Sequence, residues 1–175
     1  PFDINVLPGA VKGASSTATG TGLTSGVAGG TEFVIQSRDL KGNLRSSDSD
    51  VFTVSLTMQT LSVRPANYDT VIDDNWGSTA TVTGTTTYIG GGEYLVKYNA
   101  TVAGTYVMNV ATGGQQIIGS PFHPVIVPST ASGTESDVTG TGTRTGVAGV
   151  TEPIEIYTRD AYGNYLTTGG DKISV

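Results

Sequence analysis

The chain has 175 residues with 14% charged side chains, 25 glycines, no cysteine and a formal net charge of −6. Its charge density is well below the roughly 25% of ordinary soluble domains, and nine Lys+Arg, spread thinly, supply no basic face for nucleic acid. The missing thiols exclude zinc–thiolate clusters, disulfides and thiol catalysis, and no apolar run approaches the roughly 18 residues of a membrane helix. Residues 1–4 lack the basic start and apolar run of a signal peptide. Abundant glycine and threonine favour short strands joined by tight turns over helices.

An internal repeat orders the rest. Pro1-Phe2 recurs as Pro121-Phe122, and Gly26-Val27-Ala28-Gly29 as Gly146-Val147-Ala148-Gly149, each 120 positions on. SRDLKGN (Ser37 to Asn43) recurs as TRDAYGN (Thr158 to Asn164) and DVFTV (Asp50 to Val54) as DKISV (Asp171 to Val175), now 121 positions on. Such a period is read before anything else, because it fixes the architecture. Residues 1–8 then match the last strand of a preceding unit, residues 9–128 make one whole unit, and residues 129–175 hold the first strands of the next.

Within the whole unit, the stretch GTGLTSGVAGGTEF from Gly20 is a near miss to a dinucleotide-binding fingerprint. That fingerprint requires a helix after the glycines, so that helix amides meet the phosphates. Here the strand Phe33-Val34-Ile35 follows, and the glycines read as turn material. Thr31 to Asp39 is rich in β-branched and aromatic residues and ends in a turn at Lys41-Gly42-Asn43. In Asp50 to Met58, Phe52, Val54 and Leu56 share one face; in Glu93 to Asn99, Tyr94, Val96 and Tyr98 do; in Thr105 to Val110, Tyr106, Met108 and Val110 do. This period of two predicts strands with one buried face. Ala111 to Gly114 predicts a hairpin into Gln115-Gln116-Ile117, and Phe122 to Val127 a closing strand. No long window has helical periodicity. The expected fold is therefore all-β, an antiparallel immunoglobulin-like β-sandwich in tandem, with incomplete units at both ends.

The segment EYLVKYNATVAGTYVMNVATGGQQIIGSPFHPVIV (Glu93 to Val127) closely resembles the end of a filamin-type immunoglobulin repeat, through its alternating aromatic strand, AGTY corner, glycine hairpin and GSPF entry to the last strand. The stretch from Gly20 to Asn43 is similar to the start of that repeat, and RDAYGNYLTTGGDKISV to its second and third strands. Tyr106 falls where an immunoglobulin sandwich uses a tyrosine corner, and Met108 where antibody domains carry a cysteine. Family repeats run a little under 100 residues, and here the unit is about 120; the surplus falls near residues 59–78. The resemblance implies peptide docking beside the third and fourth strands, the region that this insert occupies.

The insert contains Asp69, Asp73, Asp74 and Trp76. Its carboxylates do not have the spacing of an EF-hand loop, and a solvated acidic loop is their plain reading. Trp76 is either a partner-contact anchor or a cap of the insert on the sandwich. His123, the single histidine, has no evident metal or triad partners. No catalytic arrangement, metal site or cofactor is expected, and the chain reads as a non-enzyme. Asn99-Ala100-Thr101 is an N-glycosylation sequon on the outward face, and the threonines of 79–87 and 139–145 are candidates for O-linked sugars.

The first functional reading is a structural repeat of an extended extracellular or cell-surface fibre, whose partners are other copies of itself or neighbouring repeats. The alternative is a cytoskeletal or ciliary scaffold that docks partners by β-strand addition. A third is an adhesin that binds its ligand through the 59–78 insert.

Overall fold

The structure, a computed structural model, describes residues 2–61 and 81–174. Asp69, Asp73, Asp74 and Trp76 lie outside the described residues. The strands are β1 (Thr17–Thr19), β2 (Ser25–Val27), β3 (Thr31–Gln36), β4 (Thr53–Leu61), β5 (Thr81–Thr83), β6 (Thr85–Gly90), β7 (Glu93–Tyr98), β8 (Gly104–Thr112), β9 (Gln115–Gln116), β10 (Val125–Val127), β11 (Ala131–Thr139) and β12 (Glu155–Asp160). One sheet has the order β1-β3-β7-β6, and a second β2-β10-β8-β4-β5 with β9 on β8. β11 and β12 pair as a separate ribbon.

Alternation in the sequence builds the interior. Phe33 and Ile35 of β3, Tyr94, Val96 and Tyr98 of β7, Val54 and Leu56 of β4, and Tyr106, Met108 and Val110 of β8 meet in one buried cluster. Opposite pairs such as Leu56 with Met108 and Val54 with Val110 lie in register across β4 and β8, the contact from which sheets draw side-chain stabilisation. The two sheets thus close face to face as an immunoglobulin-like sandwich. Met108 fills the middle at 0% exposure, where a disulfide would stand in an antibody domain.

Three details depart from the sequence expectations. The closing strand is shorter than Phe122 to Val127. Phe122 exchanges two backbone bonds with Met108, but Pro124 has no N–H to give, so the continuous ladder begins at Val125. β10 also runs parallel to β2, an exception in an otherwise antiparallel fold. β4 begins at Thr53 rather than at Asp50, because Asp50 is engaged elsewhere. Its N–H donates to the Tyr94 hydroxyl, and its carboxylate takes a forked contact from Arg45 at 2.7–2.9 Å.

The two copies of the repeated sequence also differ locally. Residues 11–19 bend through a 3-10 turn at Gly13–Ser15 before β1, whereas the matching residues form the long strand β11. A Cβ on Gly13 would stand 2.4 Å from the Gln115 carbonyl, so the β8–β9 hairpin fits only over glycine there. Gly133, the matching glycine, has nothing within 4 Å. The ribbon leaves Val138 and Ile154 open on its surface, at 56% and 47% exposure.

Replacing Leu56 by Ala opens a cavity between the sheets and should cost about 3 kcal/mol in urea unfolding. Val51→Ala, on the exposed side at 72% exposure, should stay within about 0.5 kcal/mol of the parent. Equal losses would contradict the face assignment.

Candidate docking interface

Two turns with the same spacing, Asp-x-x-Gly-Asn, close in the same way. In the first, Asp39 Oδ1 accepts the Lys41 and Asn43 amides, both at 2.9 Å, and Oδ2 accepts Asn43 Nδ2 at 2.9 Å and the Gly9 amide at 3.0 Å. In the second, Asp160 Oδ1 accepts the Tyr162 and Asn164 amides at 2.9 Å, and Oδ2 accepts Asn164 Nδ2 at 2.8 Å and the Ser129 amide at 2.9 Å. The chemistry dictates the sequence: an aspartate gathers the amides two and four residues ahead, and Gly42 and Gly163 supply φ of +82° and +81°. Donated hydrogen bonds, that of Asn43 Nδ2 foremost and that of the Gly9 amide next, hold the Asp39 carboxyl at a pKa of about 2.

The second turn does more. Asn164 is 4% exposed and reaches across to the end of the sandwich. Its Oδ1 accepts the Ala103 amide at 2.8 Å, and its Nδ2 donates to the Thr101 carbonyl at 2.8 Å. Between these two contacts the Val102 carbonyl accepts the Tyr106 hydroxyl at 2.7 Å, the tyrosine corner expected of the fold. The loop 101–103 is therefore gripped from inside by Tyr106 and from outside by Asn164. Tyr162 completes the contact by lying over Gly29. Gly29 has φ +102°, and a Cβ there would come within 2.4 Å of the tyrosine oxygen. In the first turn, by contrast, Asn43 lies exposed, with no loop above it among the described residues.

Asn99 is exposed just past the end of β7. It lines an open groove with Gly29, Thr31, Thr85 and Lys97, and it stands two residues before the carbonyl that Asn164 holds. Thr81, Thr83, Thr85 and Thr87 alternate outward along β5 and β6, and Thr139, Thr141, Thr143 and Thr145 are exposed too. His123 is exposed beside buried Pro124. Among the described residues no group of His, Cys, Asp or Glu side chains could hold a metal ion, and no helix is long and apolar enough to cross a membrane. Sequence reasoning placed a turn at Lys41-Gly42-Asn43 and found the same pattern again at Thr158 to Asn164, but missed Asn164 as a contact. The signal available was an Asp-x-x-Gly-Asn spacing that returns intact while the residues inside it change from Leu40-Lys41 to Ala161-Tyr162.

A family model described as Filamin/ABP280 repeat matches residues 10–123. Comparison with curated protein sequences gives no match. Among solved structures, the chain is similar to FdeC, an Escherichia coli adhesin, at a TM-score of 0.57 and 18% identity, covering 93% of this chain and 46% of that one. It is also similar to invasin, a bacterial integrin-binding protein, at 0.55 and 13% identity, covering 91% and 29%. The Lin-41 filamin domain aligns over 67% of this chain and 97% of its own length at 21% identity, with a TM-score of 0.49. The chain thus spans less than half of either bacterial protein.

Two outcomes follow from these contacts. Asn164→Ala leaves the buried Ala103 amide without its acceptor and should speed its hydrogen exchange by on the order of tenfold or more; the Val96 amide in the sandwich interior should be unaffected. Unchanged exchange at Ala103 would contradict the contact. For Asp39, the folded carboxyl titrates near 2 against 3.8 ordinarily, so its contribution to stability is complete above the unfolded value and is lost as pH falls through about 2. Denaturant unfolding should weaken between pH 4 and 2, and Asp39→Asn should be less stable at pH 7 and lose less on acidification.

Proposed function

The chain belongs to the filamin/ABP280 repeat family, and from that premise we propose that it is a non-enzymatic strut: tandem immunoglobulin-like units joined end to end in an extended fibre at or outside the cell surface. The observation that carries this reading is the Asn164 clasp on the Thr101–Ala103 loop. A buried amide group whose donors and acceptor are all engaged fixes orientation as well as proximity. The link itself is short, Pro128-Ser129-Thr130, and the Ser129 amide is tied to Asp160. A tethered joint of this kind suits a rod better than a string of loosely connected beads.

Placement outside the cell is supported by other features: low charge density, an exposed sequon at Asn99, and outward rows of threonine. FdeC is an adhesin and invasin binds integrin. Those likenesses carry the fold alone, so ligand binding, including any role for Asp69, Asp73, Asp74 and Trp76, stays a separate proposal for which the 59–78 segment is the candidate. The cytoskeletal or ciliary scaffold draws its support from the family itself, and strand addition would use β5 and β6, the outer strands of their sheets.

Intact mass of the protein recovered from its native source decides between them. A mass above that of the sequence, with the increment lost in Asn99→Gln, is the expected result; an unmodified protein that pellets with filamentous actin would replace this reading with the scaffold. Small-angle scattering of the chain should give one elongated shape, and Asn164→Ala should broaden its distance distribution.

A further inference from the structure

We propose that the Asp39–Asn43 turn is a docking face for the end of another copy of the 9–128 unit, received through that copy's Thr101–Ala103 loop. The inference rests on the tandem reading above and adds the residues that receive the neighbour. It begins from the equality of the two turns. Four bonds to the Asp160 carboxylate have counterparts at Asp39, down to the amide supplied from the incoming chain, Ser129 there and Gly9 here; the second turn adds one longer bond, from Asn164 Nδ2 to Asp160 Oδ1 at 3.1 Å. The difference is occupancy. Asn164 is buried under a loop, while Asn43 offers the same amide group to solvent.

The chain leading into the first turn identifies the occupant. Residues 2–8 align with residues 122–128, sharing Phe2 with Phe122 and Pro8 with Pro128, and residues 2–7 run exposed, with Phe2 at 99% and Val6 at 83%. Val6 matches Ile126, which is 1% exposed on β10 between β2 and β8. Residues 2–8 thus have the pattern of a closing strand. A sandwich that they close would end at Gly9, directly against Asp39, just as the chain after β10 passes Pro128 to set the Ser129 amide against Asp160. The covalent path therefore brings the 101–103 loop of such a sandwich over Asn43. Lys41 stands where Tyr162 lies over Gly29, so the aromatic contact is not shared; the asparagine clasp is the common element.

The test is a chain in which residues 9–128 are duplicated in tandem, read by exchange of the asparagine side-chain amides in NMR. The second copy's Asn43 should exchange at least about tenfold more slowly than the first copy's, close to Asn164 in the same molecule. If the second copy's Asn43 exchanges as fast as the first while Asn164 stays slow, the docking face is wrong and the observed joint stands. If Asn164 is also fast, the joint itself fails, and the tandem reading with it. Loss of Val96 amide protection in either copy would equally overturn the proposal, since a docked end requires two closed sandwiches.

Discussion

The hydroxyl of Tyr106 on the Val102 carbonyl is the contact on which the rest depends. It turns an irregular loop between β7 and β8 into a fixed surface, because the hydroxyl comes from the middle of the buried core. Tyr106 is fully buried, and burial raises its pKa, so it remains a neutral donor. Tyr98 does a similar task lower down: its hydroxyl donates to the Gly22 carbonyl at 2.6 Å, and burial pushes its pKa up to about 12. Both tyrosines bring an apolar body to the core and a polar tip to the loops that leave it. The loops at this end of the sandwich inherit the rigidity of the sheets, which a docking surface needs.

Much of this was legible in the sequence, and the reason is periodicity. The faces of β4, β7 and β8 follow directly from alternation, since a strand that covers one side of a core has no other arrangement available. The tyrosine corner was legible because its position is set relative to a strand start. What was not legible depends on neighbours. Residues 11–19 and 131–139 are matching pieces of the repeat, yet one bends beneath the β8–β9 hairpin and the other extends, so local propensity gives way to what lies above it. The docking role of Asn164 was hidden for a similar reason. The Asp-x-x-Gly-Asn turn satisfies itself internally, and only its surroundings decide whether the asparagine acquires further partners.

The position of Asn99 links the surface to the joint. It lines the groove that runs past Gly29 and lies two residues from the Thr101 carbonyl. A sugar there would stand beside the Asn164 contact without occupying the Thr101 carbonyl and Ala103 amide that form it. β5 and β6 carry their outward rows of threonine on the exposed faces of their sheets.

In the proposed tandem array, the self-sufficiency of the Asp39 turn bears on how the length of the protein can change. Arrays whose units share a continuous apolar core need specialised end units with a polar outer face. Here the carboxylate of Asp39 has its donors within the turn and at Gly9 whether or not a neighbour sits above it, and the leucines at the turn, Leu40 and Leu44, stand exposed at 67% and 51%. A unit can stand first in line without a dedicated cap. Gain or loss of whole units by gene duplication would then alter reach without rebuilding the ends.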